Sequence, residues 1–231
     1  MSDTEAELTS RLAAVHAKRG YLLPHHGLLA LAFPDLLAGY DAAYTAMALA
    51  DRVLSHHDRE FVWLAVLAAT DEALATHHIA KFRAAGGDDA GISAAFAAAA
   101  WAIGAEAHDF AAKHWAAQIA PWNPQEAYLE GVRRLTPLRL VHLAQLSVHV
   151  CKARWGVLRW QIAAAYTDGV LEPEIAEALT LAMFPGSIPR FVEACGVWQK
   201  MIAADEVPAS AAYRVWANFK GQGGFDEASA G

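Results

Sequence analysis

Two stretches of this 231-residue chain echo each other at a nearly constant spacing. His78-Ile79-Ala80, five residues, Gly86 and then Ile92 matches Gln161-Ile162-Ala163, five residues, Gly169 and then Ile175, each pair 83 positions apart. Upstream, Val62-x-Leu64-Ala65 matches Val141-x-Leu143-Ala144 at a spacing of 79, so a four-residue insertion separates the matched segments. Downstream, Gly104, Phe110 and Trp115 precede Gly186, Phe191 and Trp198 by 82, 81 and 83 positions. One matched triplet carries little weight. An ordered series whose small insertions fall at turns points to duplication of one unit.

That unit is helical. Alanine dominates a chain that is 55% hydrophobic, and alanine with leucine, glutamate and arginine favours helix. Alternating β-branched runs are scarce, and Pro24, Pro34, Gly86-Gly87, Gly104, Gly169, Pro185-Gly186 and Pro208 divide the chain into helix-length segments. Asp58 is the expected N-cap for the apolar run from Phe61. Thr70 or Asp71 is the expected cap of a second helix, Glu72 to Ala85, that stops at Gly86-Gly87. The APWNP segment at 120–124 reads as the linker. The expected architecture is all-α with two pseudo-repeats in one chain, one over 1–120 with the N-terminal helices and a diverged one over 121–231. The last residues, GQGGFDEASAG, read as a frayed tail.

Charge narrows the partners. The net charge is −7 and the Lys and Arg residues are scattered, so there is no basic footprint for nucleic acid or an anionic membrane surface. The longest apolar stretches, such as Phe61 to Ala69 and Ile92 to Ala105, fall short of the ~20 residues of a membrane span. The N-terminal MSDTEAELTSRL lacks a continuous apolar core, so it does not read as a signal peptide. Cys151 and Cys195 lie 44 residues apart with no CxxC spacing, which fits a reducing compartment. The expectation is a cytoplasmic protein with no nucleic-acid or membrane partner.

Asp58-Arg59-Glu60-Phe61-Val62-x-Leu64-Ala65, then His78 with Gly86 eight residues on and Ile92 six further, resembles the carboxymuconolactone decarboxylase family. That family shares its fold with the alkylhydroperoxidase D-like proteins. The likeness covers residues 34–118 well and 125–202 weakly. It implies an alkylhydroperoxidase D-like helical bundle, a homotrimer or other homo-oligomer, and a small-molecule substrate. The peroxidase branch carries a Cys-x-x-Cys pair ending four residues before its histidine. Here those positions hold Asp71 and Leu74 before His78, and Arg154 and Val157 before Gln161. Dithiol chemistry needs a thiolate and a resolving thiol, so thiol peroxidase activity is not expected. What remains implied is a decarboxylase-like lyase, or an isomerase, acting without a cofactor on a small carbonyl or carboxylate compound. The alternative is a binding or assembly protein of the same fold that has lost the chemistry.

Glu60 and His78 are the leading catalytic candidates. A carboxylate at the start of an apolar helix can act as general acid or base, although an acid in a first turn also satisfies the helix dipole. Along one continuous helix the two would be ~27 Å apart, so they meet only if the chain folds back near Thr70-Asp71. Asp71 is the third candidate, with N-capping as its simpler role. His57, Trp63, His77 and Arg139 are candidate substrate-binding residues. Arg139 aligns with Glu60, and Gln161 with His78, so the second unit would lack the acid/base pair. No metal is expected: adjacent histidines such as His25-His26, His56-His57 and His77-His78 diverge on a helix, and there is no HxxxH or HExxH spacing.

Overall fold

The computed structural model describes residues 4–224, over which thirteen α-helices and no strands are found among the described residues. The chain divides into two compact units, Met1–Ala50 and Asp51–Gly231. Both halves of the sequence echo fall in the second, and residue 120 lies inside that unit rather than at its edge. Residues 225–231 of the expected tail lie outside the described residues.

The first unit holds α1 (Glu5–Arg19), α2 (Pro24–Ala32) and α3 (Pro34–Tyr44), the last running into a π-helical turn over Thr45–Leu49. Thr4 and Glu7 form a reciprocal capping box on α1, and Gly20 ends it in the left-handed region.

The second unit is built around α4 (His56–Ala69) and α8 (Leu138–Cys151), each of 14 residues. Both are apolar on nearly every face, and such helices must be central. Residues Arg59 to Val66 of α4 and Leu140 to Cys151 of α8 are accordingly all buried. The two pack against each other and against α6 (Asp89–His114), while α10 (Glu172–Leu181) covers α8. The face α6 presents to the core is alanine: Ala95, Ala98, Ala99, Ala102, Ala105 and Ala111. These small side chains let the three helix axes come close. Around this centre lie α5 (His77–Ala84), α7 (Pro124–Arg133), α9 (Trp155–Thr167), α11 (Met183–Gly186), α12 (Ile188–Ala203) and α13 (Ala211–Asn218).

Helix ends differ from expectation at two places. The cap of α4 is Ser55, whose hydroxyl accepts from the Asp58 amide at 3.1 Å, so the helix begins one turn before the apolar run. The helix expected from Glu72 starts only at His77, because Asp71 adopts a left-handed φ of +58° and residues 71–76 are spent on turns. Gly86 (φ +93°) and Gly169 (φ +79°) end α5 and α9 as the echo predicts.

At 26 residues, α6 is long and apolar enough to cross a membrane by length and composition, the one such helix among the described residues. Its apolar run in the sequence ends before Glu106. The helix continues through that residue to His114 and packs on α4, α7 and α8.

Candidate functional site

The start of α4 is held by a buried ion pair. Arg59 Nε donates to Glu177 Oε1 on α10 at 3.1 Å, with the two side chains 1% and 4% exposed. The same carboxylate accepts from the Val53 and Leu54 amides at 2.9 and 2.8 Å. One acid thus fixes the approach to α4 and its first turn. Arg139, at the start of α8, adds a second clamp by donating to Asp58 on α4 and Glu174 on α10. It is therefore engaged in tying helix ends together. Burial works to raise the Asp58 pKa, but the bonds from His57 and Arg139 outweigh it and hold the acid low.

With α4 fixed, the reversal at Thr70–Thr76 returns the chain so that α5 lies along it. Glu60 and His78, 18 residues apart in sequence, then meet: Glu60 Oε2 and His78 Nδ1 are 2.6 Å apart. An ionised carboxylate has no proton to give, so Nδ1–H donates and His78 Nε2 is left as the basic nitrogen. Nε2 makes no hydrogen bond among the described residues. The Trp63 ring stacks on His78 at 5.0 Å between centroids, and its Nε1–H is buried without a partner. The His77 ring lies 4.3 Å from that of His78. His57 turns elsewhere, bonded to Asp58 at 3.0 Å and packed on Phe82.

Glu60, Leu64 and Leu67 follow one face of α4, and Asp71 lies in the turn beyond its end. The outer part of this face opens into a cleft of about 450 Å³, with Ile79 and Phe96 among its walls and Asp71 and Glu72 at the turn. Apart from Thr76 the rest of the lining is apolar. Glu60, His78 and Trp63 are not part of it; the polar pair lies one helical turn further along the same face. The structure therefore brings Glu60, His78, Trp63 and His77 together, sets Asp71 in the neighbouring cleft, and places His57 and Arg139 in the clamp at the α4 start.

A second polar pair sits between α8 and α9. Gln161 Nε2 donates to His142 Nδ1 at 2.7 Å, and His142 Nε2 donates to Asp168 at 2.8 Å. Glu60 and His142 are each the fifth residue of their 14-residue helix, and His78 and Gln161 are their partners on the following helices. The geometric counterpart of Glu60 is thus His142, three residues beyond the Arg139 suggested by matching the sequence. Gln161 also joins a buried cluster around the Tyr128 hydroxyl, which lies 2.9 Å from His149 Nε2. Burial lowers the His149 pKa to about 3 and leaves its Nδ1 without a partner. Gln161 belongs to the sequence echo, whereas Tyr128 lies outside it.

Burial pushes the Cys151 thiol up to about 12 and raises that of Cys195. Neither is a thiolate at neutral pH. Among the described residues no three His, Cys, Asp or Glu side chains gather as a metal-binding group.

Comparison with protein-family models, with curated proteins and with solved structures gives no match.

Proposed function

We propose that this chain is a cofactor-independent acid/base enzyme, a decarboxylase-like lyase or an isomerase, acting on a small carbonyl or carboxylate compound. The observation that carries the reading is the Glu60–His78 bond, which leaves Nε2 open on a ring stacked against Trp63, whose indole N–H has no partner. A buried donor without a partner costs ~1–3 kcal/mol, and a bound ligand oxygen repays it. Glu60 is the positioning residue: it fixes the tautomer of His78 and stabilises the imidazolium when it forms. His78 Nε2 removes the proton next to the substrate carbonyl, and the C–H electron pair moves into the carbonyl as an enolate. Trp63 Nε1–H donates to the oxygen where that charge develops. In a decarboxylation Nε2 takes the proton of the substrate's carboxylic acid, the C–C electron pair moves into the carbonyl as carbon dioxide leaves, and protonated Nε2 gives that proton to the carbanion carbon. The apolar cleft beside Leu64 and Ile79 is the route by which a substrate approaches.

The matched positions of the two polar pairs support duplication of one helical unit, the resemblance supports an alkylhydroperoxidase D-like bundle and a homo-oligomer, and the cysteine spacing supports a cytoplasmic setting. A second reading has its own observation. Glu60 and His78 are 5% and 3% exposed and do not line the cleft, as in a structural pair inside a binding protein that has lost the chemistry.

One titration separates the two. The indole Nε1–H signal of Trp63, assigned with Trp63→Phe, is followed while cyclic keto acids and lactone carboxylates are added. Carbon dioxide release and carbon–deuterium exchange are recorded in parallel. The enzyme reading expects the signal to shift and His78→Gln to lose ~10²–10⁴-fold in rate. An unmoved signal with no turnover sinks it.

A further inference from the structure

The outward face of α6 carries residues that the bundle does not use. Phe96, Ala100, Ile103, Ala107, Phe110 and His114 are all exposed, and they alternate at spacings of four and three. This is the 3.5-residue period of a coiled-coil seam, sustained over ~27 Å of helix. Phe96, Ile103 and Phe110 are 44%, 45% and 46% exposed, an unusual state for three large apolar side chains in one line. The acid at the edge of the seam, Glu106, is paired with Arg154, and Asp109 with Lys113.

We infer that α6 is the two-fold interface between two copies of this chain, packed antiparallel along this seam. The order of side-chain sizes selects both the partner and the direction. Large residues occupy one seam position (Phe96, Ile103, Phe110), and small or polar ones occupy the other (Ala100, Ala107, His114). Parallel α6 helices would set alanine against alanine and phenylalanine against phenylalanine, leaving voids beside overfilled layers. An antiparallel pair centred on Ala105 sets Ile103 against Ala107, Phe110 against Ala100 and Phe96 against His114 of the second copy. Every layer then holds one large and one small or medium side chain. The surface is its own complement, as a closed two-fold contact requires. Gly104 and Ala97 flank the seam and allow the axes to approach closely. Because Phe96 also walls the cleft, the second copy's α6 end would border it. This assembly does not depend on the acid/base reading, and it is two-fold, unlike the trimer that the resemblance implies.

The test uses the full chain. The expected result is an even-numbered assembly by light scattering. Under mild oxidation, a mixture of Ile103→Cys and Ala107→Cys chains should form a disulfide-linked pair containing one of each. Ile103→Cys alone should link far less, and the wild type with its native cysteines not at all. Ala100→Glu with Ala107→Glu should reduce the assembly to single chains while the far-ultraviolet helix signal is retained. If that variant fails to fold, the mixed cross-link still decides. A single-chain wild type, a trimer without mixed cross-links, or Ile103→Cys chains linking to themselves would overturn the proposal. So would co-sedimentation with phosphatidylcholine vesicles in place of cross-linking, since α6 would then be meeting lipid.

Discussion

Replacing Arg59 by methionine removes the cation from the buried pair while roughly filling its volume. Glu177 then keeps the Val53 and Leu54 amides but loses its charged partner, at a site where the acid is 4% exposed. Removing one member of such a buried pair costs about 3–5 kcal/mol, because the remaining charge is uncompensated. At roughly 2–4 °C per kcal/mol for a chain of this size, Tm should fall by about 6–20 °C. Thermal and urea unfolding followed by helix circular dichroism measures it. Adding Glu177→Gln removes the stranded charge while retaining an oxygen for the two amides, so the double variant should recover at least ~1 kcal/mol of the loss. A loss below ~1 kcal/mol for Arg59→Met, or a double variant no better than the single, would refute the view that this pair fixes the start of α4.

Three further outcomes follow from particular contacts. Trp63→Phe keeps a ring stacked on His78 but removes the unpartnered indole N–H; stability should change by less than ~1 kcal/mol while ligand binding is lost, and unfolding with ligand titration checks both. Gly131→Ala would drive a methyl into the Trp101 indole, which itself donates to the Tyr128 carbonyl, and should cost ~1–3 kcal/mol in urea unfolding. His149 is held neutral, with a pKa of about 3 against an ordinary 6.5. Its contribution is therefore complete above pH ~6.5 and falls by up to ~1.4 kcal/mol per pH unit as pH drops toward 3. His149→Gln keeps a partner for Tyr128 and should flatten this difference; parallel urea midpoints at pH 7 and pH 5 that move equally in both proteins would sink the assignment.

The helix ends were legible because glycine is tied to a backbone conformation: Gly86 and Gly169 sit at φ +93° and +79°, each at the end of its helix. The meeting of Glu60 with His78 was legible only as a condition, that the chain reverse near residue 70, and Asp71 supplies the reversal. Register was harder to read. In a helix that is apolar all round, a slide of three residues turns the pattern by only about 60° at 100° per residue, so apolar residues meet apolar residues in either register. The match at 79 aligned Glu60 with Arg139, whereas the helix bounds align it with His142. The Arg59–Glu177 pair spans 118 residues, and periodicity reports which face is buried without naming what it meets.

Counted from the helix bounds, both polar pairs contain a histidine, and the proposed chemistry needs a different ground for using only one of them. If Arg139 stood opposite Glu60, the second site would lack a histidine on its first helix. It has one, His142, fully buried at the matched position. What it lacks is a free nitrogen. Gln161 donates to Nδ1, and Asp168 accepts from Nε2, so both ring atoms are committed and neither can take a proton from a substrate. Burial lowers the His142 pKa even against the pull of Asp168, which further favours the neutral, doubly bonded ring. His78 has the opposite arrangement, with one nitrogen held by Glu60 and the other open. The two polar pairs therefore differ in how many hydrogen bonds each histidine makes, and not in whether a histidine is present.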